Sequence, residues 1–261
     1  TLSVSSAASD VYKRQIPFLI SFVLVIISMY IQLRLEDTRA FKELEASKSA
    51  EPVEKRQIKS SPILEALRRY PGRISLAAGA FLSIQVTFYI LVAFILAYGV
   101  QTTELSRNDI LMAVLIGSAI MVPMQFVFSD YSDKNGRKGI FMTGAILTGV
   151  WAFALFPLID TGSFYLVILG VSGGLMFLGM MYGPQAAFFA ELFSTDVRYS
   201  GASLGYQIGA IIGGSFAPTI ATLLWKNYDI FWVSVYIAFA SLASLLSVYF
   251  LTETYQKDLN E

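Results

Sequence analysis

The chain has 261 residues, of which 55% are hydrophobic, 14% aromatic and only 15% charged, with no net charge. A soluble domain carries roughly 25% charged residues, so this composition points to a chain embedded in a membrane. It holds neither cysteine nor histidine, which excludes disulfides, thiolate or imidazole metal sites and Ser-His or Cys-His nucleophiles, and weighs against an enzyme.

Crossing the hydrocarbon core takes about 20 mostly apolar residues. The opening "TLSVSSAASDVYKRQ" is small and polar and lacks the apolar core of a signal peptide. Residues 1–15 are therefore expected to be a segment foreign to the rest. A first apolar span follows over 16–33. Next comes a polar loop, 34–73, rich in Lys, Arg and Glu. Inside it Ser61 and Pro62 signal a helix start, and Ile63, Leu64 and Leu67 lay an apolar stripe beneath basic residues, the pattern of an interfacial helix. Six further spans are expected over 74–100, 109–128, 139–159, 164–190, 200–224 and 231–251. They make an all-α bundle over 74–252 with a tail at 253–261. Seven spans, an odd number opening abruptly on a helix, predict a fragment of a longer protein.

Orientation follows from Lys and Arg, which accumulate on the cytoplasmic side. With the 34–73 loop in the cytoplasm, that side also receives Lys134, Arg137, Lys138, Arg198 and Lys257. The count is then fifteen against two, Arg107 and Lys226, leaving the N-terminus aside.

Uncharged polar residues recur at helical spacing within the spans. Gln85 and Tyr89 are four apart, Tyr182 and Gln185 three apart with Phe189 four further on, and Ser203 and Gln207 four apart. Such groups either line an aqueous cavity or hydrogen-bond between helices, the latter worth about 0.6 kcal/mol in a membrane. Gly201, Gly205, Gly209 and Gly213, extended by Ala217 and Ala221, form a stripe of small residues for close helix approach. That stripe serves either static packing or a rocking surface. Pro184 lacks an amide hydrogen and is expected to kink or loosen its helix near Met180, with Gly183 and Gln185 facing a cavity; Pro123 and Pro218 invite the same reading.

The stretch "SDYSDKNGRKG", placed in the turn after the 109–128 span, resembles the signature turn of the major facilitator superfamily. Asp133, Lys134, Gly136, Arg137 and Lys138 match it, and Ser129 stands in place of the first glycine. "IPFLISFVLVIISMYIQLRLEDTRAF" and "MYGPQAAFFAELFSTDVRYSGASLGYQIGA" are similar to the metabolite:proton symporter family, most like its shikimate-transporter-type members. Arg39 and Ser194 stand where prolines are usual, and the Trp-Gly-Trp-Arg expected before Ile16 is missing.

This resemblance implies helices six to twelve of a twelve-helix transporter: the sixth helix of the first half at 16–33, then the whole second half. It implies a small organic acid or zwitterion as substrate, bound between the halves. The proton is the coupling ion, with no other cofactor, no metal and no nucleic-acid partner. The titratable coupling group is expected in the missing N-terminal half, so the chain alone is expected not to transport. Gln85, Tyr89, Tyr182, Gln185 and Gln207 are the implied substrate contacts. The turns bearing Asp133, Arg137, Glu191 and Arg198 are expected side by side as an ion-pair gate, with solvated topology charges as the alternative. The implied location is a bacterial inner membrane. A receptor or sensor that kept the fold without transport stands as the other reading.

Overall fold

The structure, a computed structural model, describes residues 2–34 and 61–254. Two compact units divide the chain, Thr1–Pro52 and Val53–Glu261. Most of the 34–73 loop, Lys257 and the end of the tail lie outside the described residues.

The first unit contains α1 (Leu2–Arg34). Residues 2–15 are helical and continuous with the apolar run, the helix passing through Pro17. At its end the Arg34 guanidinium lies over the Tyr30 ring, 5.4 Å from the centroid, a cation at the negative end of the helix dipole.

The second unit contains α2 (Pro62–Arg69) and six helices long and apolar enough to cross a membrane: α3 (Pro71–Thr102), α4 (Arg107–Asn135), α5 (Arg137–Asp160), α6 (Phe164–Glu191), α7 (Arg198–Asn227) and α8 (Ile230–Phe250). α6 packs on α4 and α5, α5 on α8, α8 on α3 and α3 on α7; α6 also touches α3 and α7, which closes the bundle. The sequence dictates most boundaries. Pro71 opens α3, where a missing amide hydrogen costs nothing. Ser106 and Asp109 form a reciprocal capping box at the start of α4.

One boundary differs from expectation. The signature segment is not an open turn: α4 continues to Asn135, and only Gly136, at φ 103°, joins it to α5. The cause is local, because Asp130 pairs with Lys134 at 2.6 Å and Asp133 with Arg137 at 2.7 Å, both four apart with the acid first. The positive φ then requires a glycine.

α2 shows Ala66 fully buried, while Ile63, Leu64 and Leu67 are exposed on its other side. Its end is fastened to the turn between α6 and α7. Arg69 meets Asp196 at 3.1 Å, Arg73 donates to the Leu192 carbonyl at 2.6 Å, and the Tyr70 hydroxyl lies 3.2 Å from Ser194 Oγ. Arg69 and Arg73 also both lie over the Tyr70 ring.

Two seams bring α3 into the bundle. Toward α8 the seam is polar: Ser244 Oγ accepts from the Ser83 amide and donates to the Gly79 carbonyl, each at 2.9 Å, and Ser83 and Ser241 hydroxyls meet at 2.9 Å. Toward α7 it is the glycine stripe. A Cβ on Gly205 would lie 2.7 Å from Ala77 Cβ, one on Gly209 2.7 Å from the Ala78 carbonyl, and one on Gly213 2.9 Å from the Leu82 carbonyl. Ala217 and Ala221 extend this row and are fully buried.

Backbone loosening occurs, but away from Pro184. α6 is helical without interruption through Pro184. Gly183 packs on α4, since a Cβ there would lie 2.8 Å from the Gln125 carbonyl; it serves helix contact and does not face a cavity. The wide π turns are Ile90–Phe94 in α3 and Ile211–Ser215 in α7, the latter just ahead of Pro218. Pro218 does carry the irregularity expected of a proline, whereas Pro123 lies within the unbroken α4.

Because the nearest atom to Gly209 is backbone, Gly209→Ala must push α7 off α3. Overpacking of this kind costs about 1–3 kcal/mol. In detergent-solubilised protein Gly209→Ala is expected to unfold several degrees lower, while Gly72→Ala, which meets nothing within 4 Å, leaves the midpoint unchanged. Equal midpoints for the two variants would show that the stripe is not a tight contact.

Candidate functional site

A groove of about 270 Å³ opens between α6 and α7, lined by Tyr182, Gln185, Ala186, Phe189, Ala202, Ser203, Tyr206 and Gln207. The spacing of these residues explains their convergence. Tyr182, Gln185 and Phe189 share one face of α6, and Ser203, Tyr206 and Gln207 share the side of α7 away from its glycine row. Gly205 and Gly209 hold α7 against α3 and thereby fix its rotation about its own axis.

Gln185 stands at the middle of this lining, with 4% of its surface exposed. A carboxamide brings two donors and an acceptor oxygen to the groove. The walls are firm. The Tyr206 ring packs on Phe81 with centroids 4.2 Å apart, and Phe189 meets Phe81 edge-on at 6.3 Å. Among the described residues, no Asp, Glu, Lys or Arg lines the groove.

Of the expected substrate contacts, the structure brings Tyr182, Gln185 and Gln207 together and adds Ser203 and Tyr206, the latter hidden in the sequence among ordinary aromatic residues. Gln85 and Tyr89 stand apart from them. They flank the α7 π turn, where a Cβ on Gly213 would lie 3.1 Å from Gln85 Cβ and one on Gly214 2.7 Å from the Tyr89 ring.

A second cluster occupies the end of the bundle that carries Gly136. Arg137 is its centre, with its side chain 12% exposed. Its guanidinium grips Glu191 in a fork, Nε to Oε2 and Nη2 to Oε1 both at 2.7 Å, and reaches Asp133 at 2.7 Å. The Thr254 hydroxyl donates to Glu191 Oε2 at 2.6 Å. Arg198 is not part of this cluster, contrary to expectation. Its Nη2 donates to the Thr195 hydroxyl at 3.2 Å and its Nε reaches the Phe193 carbonyl at 3.4 Å. Arg137 already occupies both oxygens of Glu191, so Arg198 instead braces the turn that precedes α7.

Sequence reasoning also missed a pair of reciprocal caps. Gly136 offers α5 no side-chain cap, and the Glu253 carboxylate supplies one from beyond α8, accepting from the Arg137 and Lys138 amides at 3.2 and 3.1 Å. In return Lys138 Nζ donates to the Tyr249 and Leu251 carbonyls at 2.6 and 2.9 Å, at the end of α8. Each helix end thus receives the charge its dipole favours. The visible signal was a charge pattern, an acid just past one apolar span and a base just inside another, which spacing alone cannot pair.

Arg137 and Glu191 are partly buried, so their fork falls between an exposed pair, worth at most about 1 kcal/mol, and a buried one, costing about 3–5 kcal/mol to break. Arg137→Ala is expected to lower stability by about 2 kcal/mol. Arg137→Lys should recover less than half of that, because an ammonium lacks the planar fork. Denaturant titration of both variants checks this, and Arg137→Ala within about 0.5 kcal/mol of wild type would contradict it.

Comparison with known proteins agrees with this architecture. Residues 3–204 match the family model of the Major Facilitator Superfamily. The inner membrane metabolite transport protein YhjE of Escherichia coli (strain K12) is 31% identical over 252 residues, which is 94% of this chain and 55% of that protein. The shikimate transporter of the same organism is 30% identical over 246 residues, 92% of this chain and 54% of its own length. The chain thus spans about half the length of the curated relatives it matches. Among solved structures, the proton:xylose symporter XylE bound to 6-bromo-6-deoxy-D-glucose superposes with a TM-score of 0.55 at 20% identity, over 76% of this chain and 45% of that one; this likeness concerns the fold. With six helices apolar enough to cross a bilayer and a family match over most of its length, the chain is an integral membrane protein belonging to the Major Facilitator Superfamily.

Proposed function

We propose that the chain is the C-terminal part of a proton-coupled metabolite transporter working by alternating access, and that the groove between α6 and α7 is its share of the substrate site. The observation that carries this is the convergence of Tyr182, Gln185, Ser203, Tyr206 and Gln207 from two helices on one groove. Their hydroxyl and carboxamide groups both donate and accept hydrogen bonds, as recognition of a small polar molecule requires. The names of the relatives support the transporter reading. They include a shikimate transporter and a glycine betaine/proline/ectoine/pipecolic acid transporter from Dickeya dadantii (strain 3937), so the cargo is a small organic acid or zwitterion. Sites at the interface of two transporter halves, near the midplane, suit such cargo.

Each cluster takes a role in this scheme. Tyr182, Gln185, Ser203 and Gln207 contact substrate. Gln85 and Tyr89, beside the π turn of α7, contribute a second face when that turn moves. The Asp133–Arg137–Glu191 cluster is a gate holding one end closed, and that end faces the cytoplasm because Lys and Arg accumulate there. No titratable carboxylate or cation lines the groove, so the coupling proton is carried by the other half, and this chain alone does not perform coupled uptake. The membrane is the bacterial inner membrane, as named for one relative.

The test is uptake by the complete protein in proteoliposomes under an imposed pH gradient. At least one of shikimate, a dicarboxylate or glycine betaine is expected to accumulate and to stop when a protonophore is added. Gln185→Leu should weaken its half-saturation roughly 10- to 100-fold, the loss of about 1.4–2.7 kcal/mol, without lowering protein yield. Uptake indifferent to the protonophore, or unchanged half-saturation in Gln185→Leu, would overturn the proposal.

A further inference from the structure

Among the described residues, no charged side chain lines the α6–α7 groove, so a charged group on the cargo must be met elsewhere. A second groove, of about 300 Å³, opens where α3 ends and α4 begins. Ala93, Leu96, Ala97, Val100 and Gln101 line it from α3, and Arg107, the first residue of α4, brings a full charge to it. That arginine is oddly placed. It stands at the positive end of the α4 dipole, where a cation is disfavoured. It is exposed, and among the described residues it forms no ion pair. Asp109 is near in sequence, but its carboxylate accepts from the Ser106 amide and hydroxyl at 2.9 and 2.7 Å. Neither helix stability nor a structural ion pair accounts for Arg107.

Given the transporter reading above, we infer that Arg107 receives the carboxylate of the incoming cargo, with the Gln101 carboxamide as a further hydrogen-bond donor. An organic acid and a zwitterion qualify alike, since each carries that group. A guanidinium matches a carboxylate with two parallel hydrogen bonds. Arg107 lies at the end of α4 away from Gly136, the end that the Lys and Arg count turns outward. Its groove also continues toward residues already given a part in binding. Tyr89, Ala93, Ala97 and Gln101 follow one another at intervals of four along α3, and all four are exposed. The two alanines leave the space in the middle of that strip. Its inner end is Tyr89, one turn from Gln85, and this pair flanks the π turn of α7. A carboxylate held at Arg107 thus stands at the outer end of an open strip that leads to polar side chains. A phospholipid phosphate is the competing anion. Acyl chains need an apolar surface beyond the headgroup, whereas this strip turns polar at Tyr89 and Gln85.

Uptake by the complete protein in proteoliposomes tests this, using whichever of shikimate, a dicarboxylate or glycine betaine it accumulates. Arg107→Gln is expected to raise half-saturation roughly tenfold and to leave the maximal rate within about twofold of wild type. Arg107→Lys keeps the charge without the fork, and should raise half-saturation by only about threefold. Because Arg107 is exposed, neither change empties a packed site. Lys226→Gln, which removes the other cation assigned to that end, serves as the reference and leaves half-saturation unchanged. Salt screens an exposed charge, so the gap between wild type and Arg107→Gln should narrow as ionic strength rises. The shift is expected both in pure phosphatidylcholine vesicles and in vesicles containing phosphatidylglycerol. A shift confined to the latter assigns Arg107 to lipid and overturns the inference. Unchanged half-saturation in Arg107→Gln, an equal shift in Lys226→Gln, or a loss confined to the maximal rate overturns it too, while leaving transport itself intact. Uptake of none of the three compounds by wild type overturns the transporter reading and this inference with it.

Discussion

Close approach of α7 to α3 is the contact on which the rest of the second unit depends. In hydrocarbon there is little hydrophobic drive to hold helices together, so association relies on dispersion, hydrogen bonds and small residues that let backbones meet. Gly205, Gly209 and Gly213 place the backbone of α7 directly on Ala77, Ala78 and Leu82. A helix seated by a row of residues four apart cannot rotate without lifting off. The opposite side of α7, with Ser203 and Gln207, is thereby aimed at α6, and the groove follows from the packing. The π turn at Ile211–Ser215 lies in the same helix beyond Gly209. The tight row and the irregular turn of α7 overlap at Gly213, so the π turn is itself seated against Leu82 of α3.

The charged end works by a related economy. A bilayer leaves no water to satisfy helix termini inside it, so the ends that emerge are where charges are concentrated. Arg137 joins α4, α5 and α6, while Glu253 and Lys138 exchange caps between α5 and α8. α2 adds a further tie through Arg69, Tyr70 and Arg73 to the turn before α7. Groove and charged end are therefore linked through α6, which contributes Gln185 to one and Glu191 to the other, six residues apart on one unbroken helix.

Much of this was legible in the sequence because it is local. Span positions follow from runs of apolar residues, the α4 start from Ser106 and Asp109, and the α7 seam from glycines at a spacing of four. What escaped was non-local. Nothing in the spacing of Glu253 says that it caps a helix begun at Arg137, and Glu191 has two cations within plausible reach until the fold shows Arg137 on both of its oxygens. α6 runs on as a helix through Pro184, and Gly183 beside it is packed closely on α4. Residue type alone does not place Gln85 and Tyr89, which lie on α3 beside Gly213 and Gly214 of the α7 π turn. Ser83, Ser241 and Ser244 drew no notice, since serines are common in any membrane helix and only pairing distinguishes them.

This chain holds no cysteine, so a cysteine placed in it, read against the unsubstituted complete protein as background, tests the central claim that the groove beside Gln185 is where cargo binds. A single cysteine at Ala186, which lines the groove and is exposed, would be labelled with a membrane-permeant maleimide in the complete protein. Tyr165→Cys, on the exposed far end of the same helix, serves as the reference. A saturating concentration of whichever small acid or zwitterion the complete protein transports is expected to slow labelling of Ala186→Cys severalfold, in proportion to occupancy, and to leave Tyr165→Cys untouched. Equal labelling of Ala186→Cys with and without that compound, in protein that still transports it, would contradict the account.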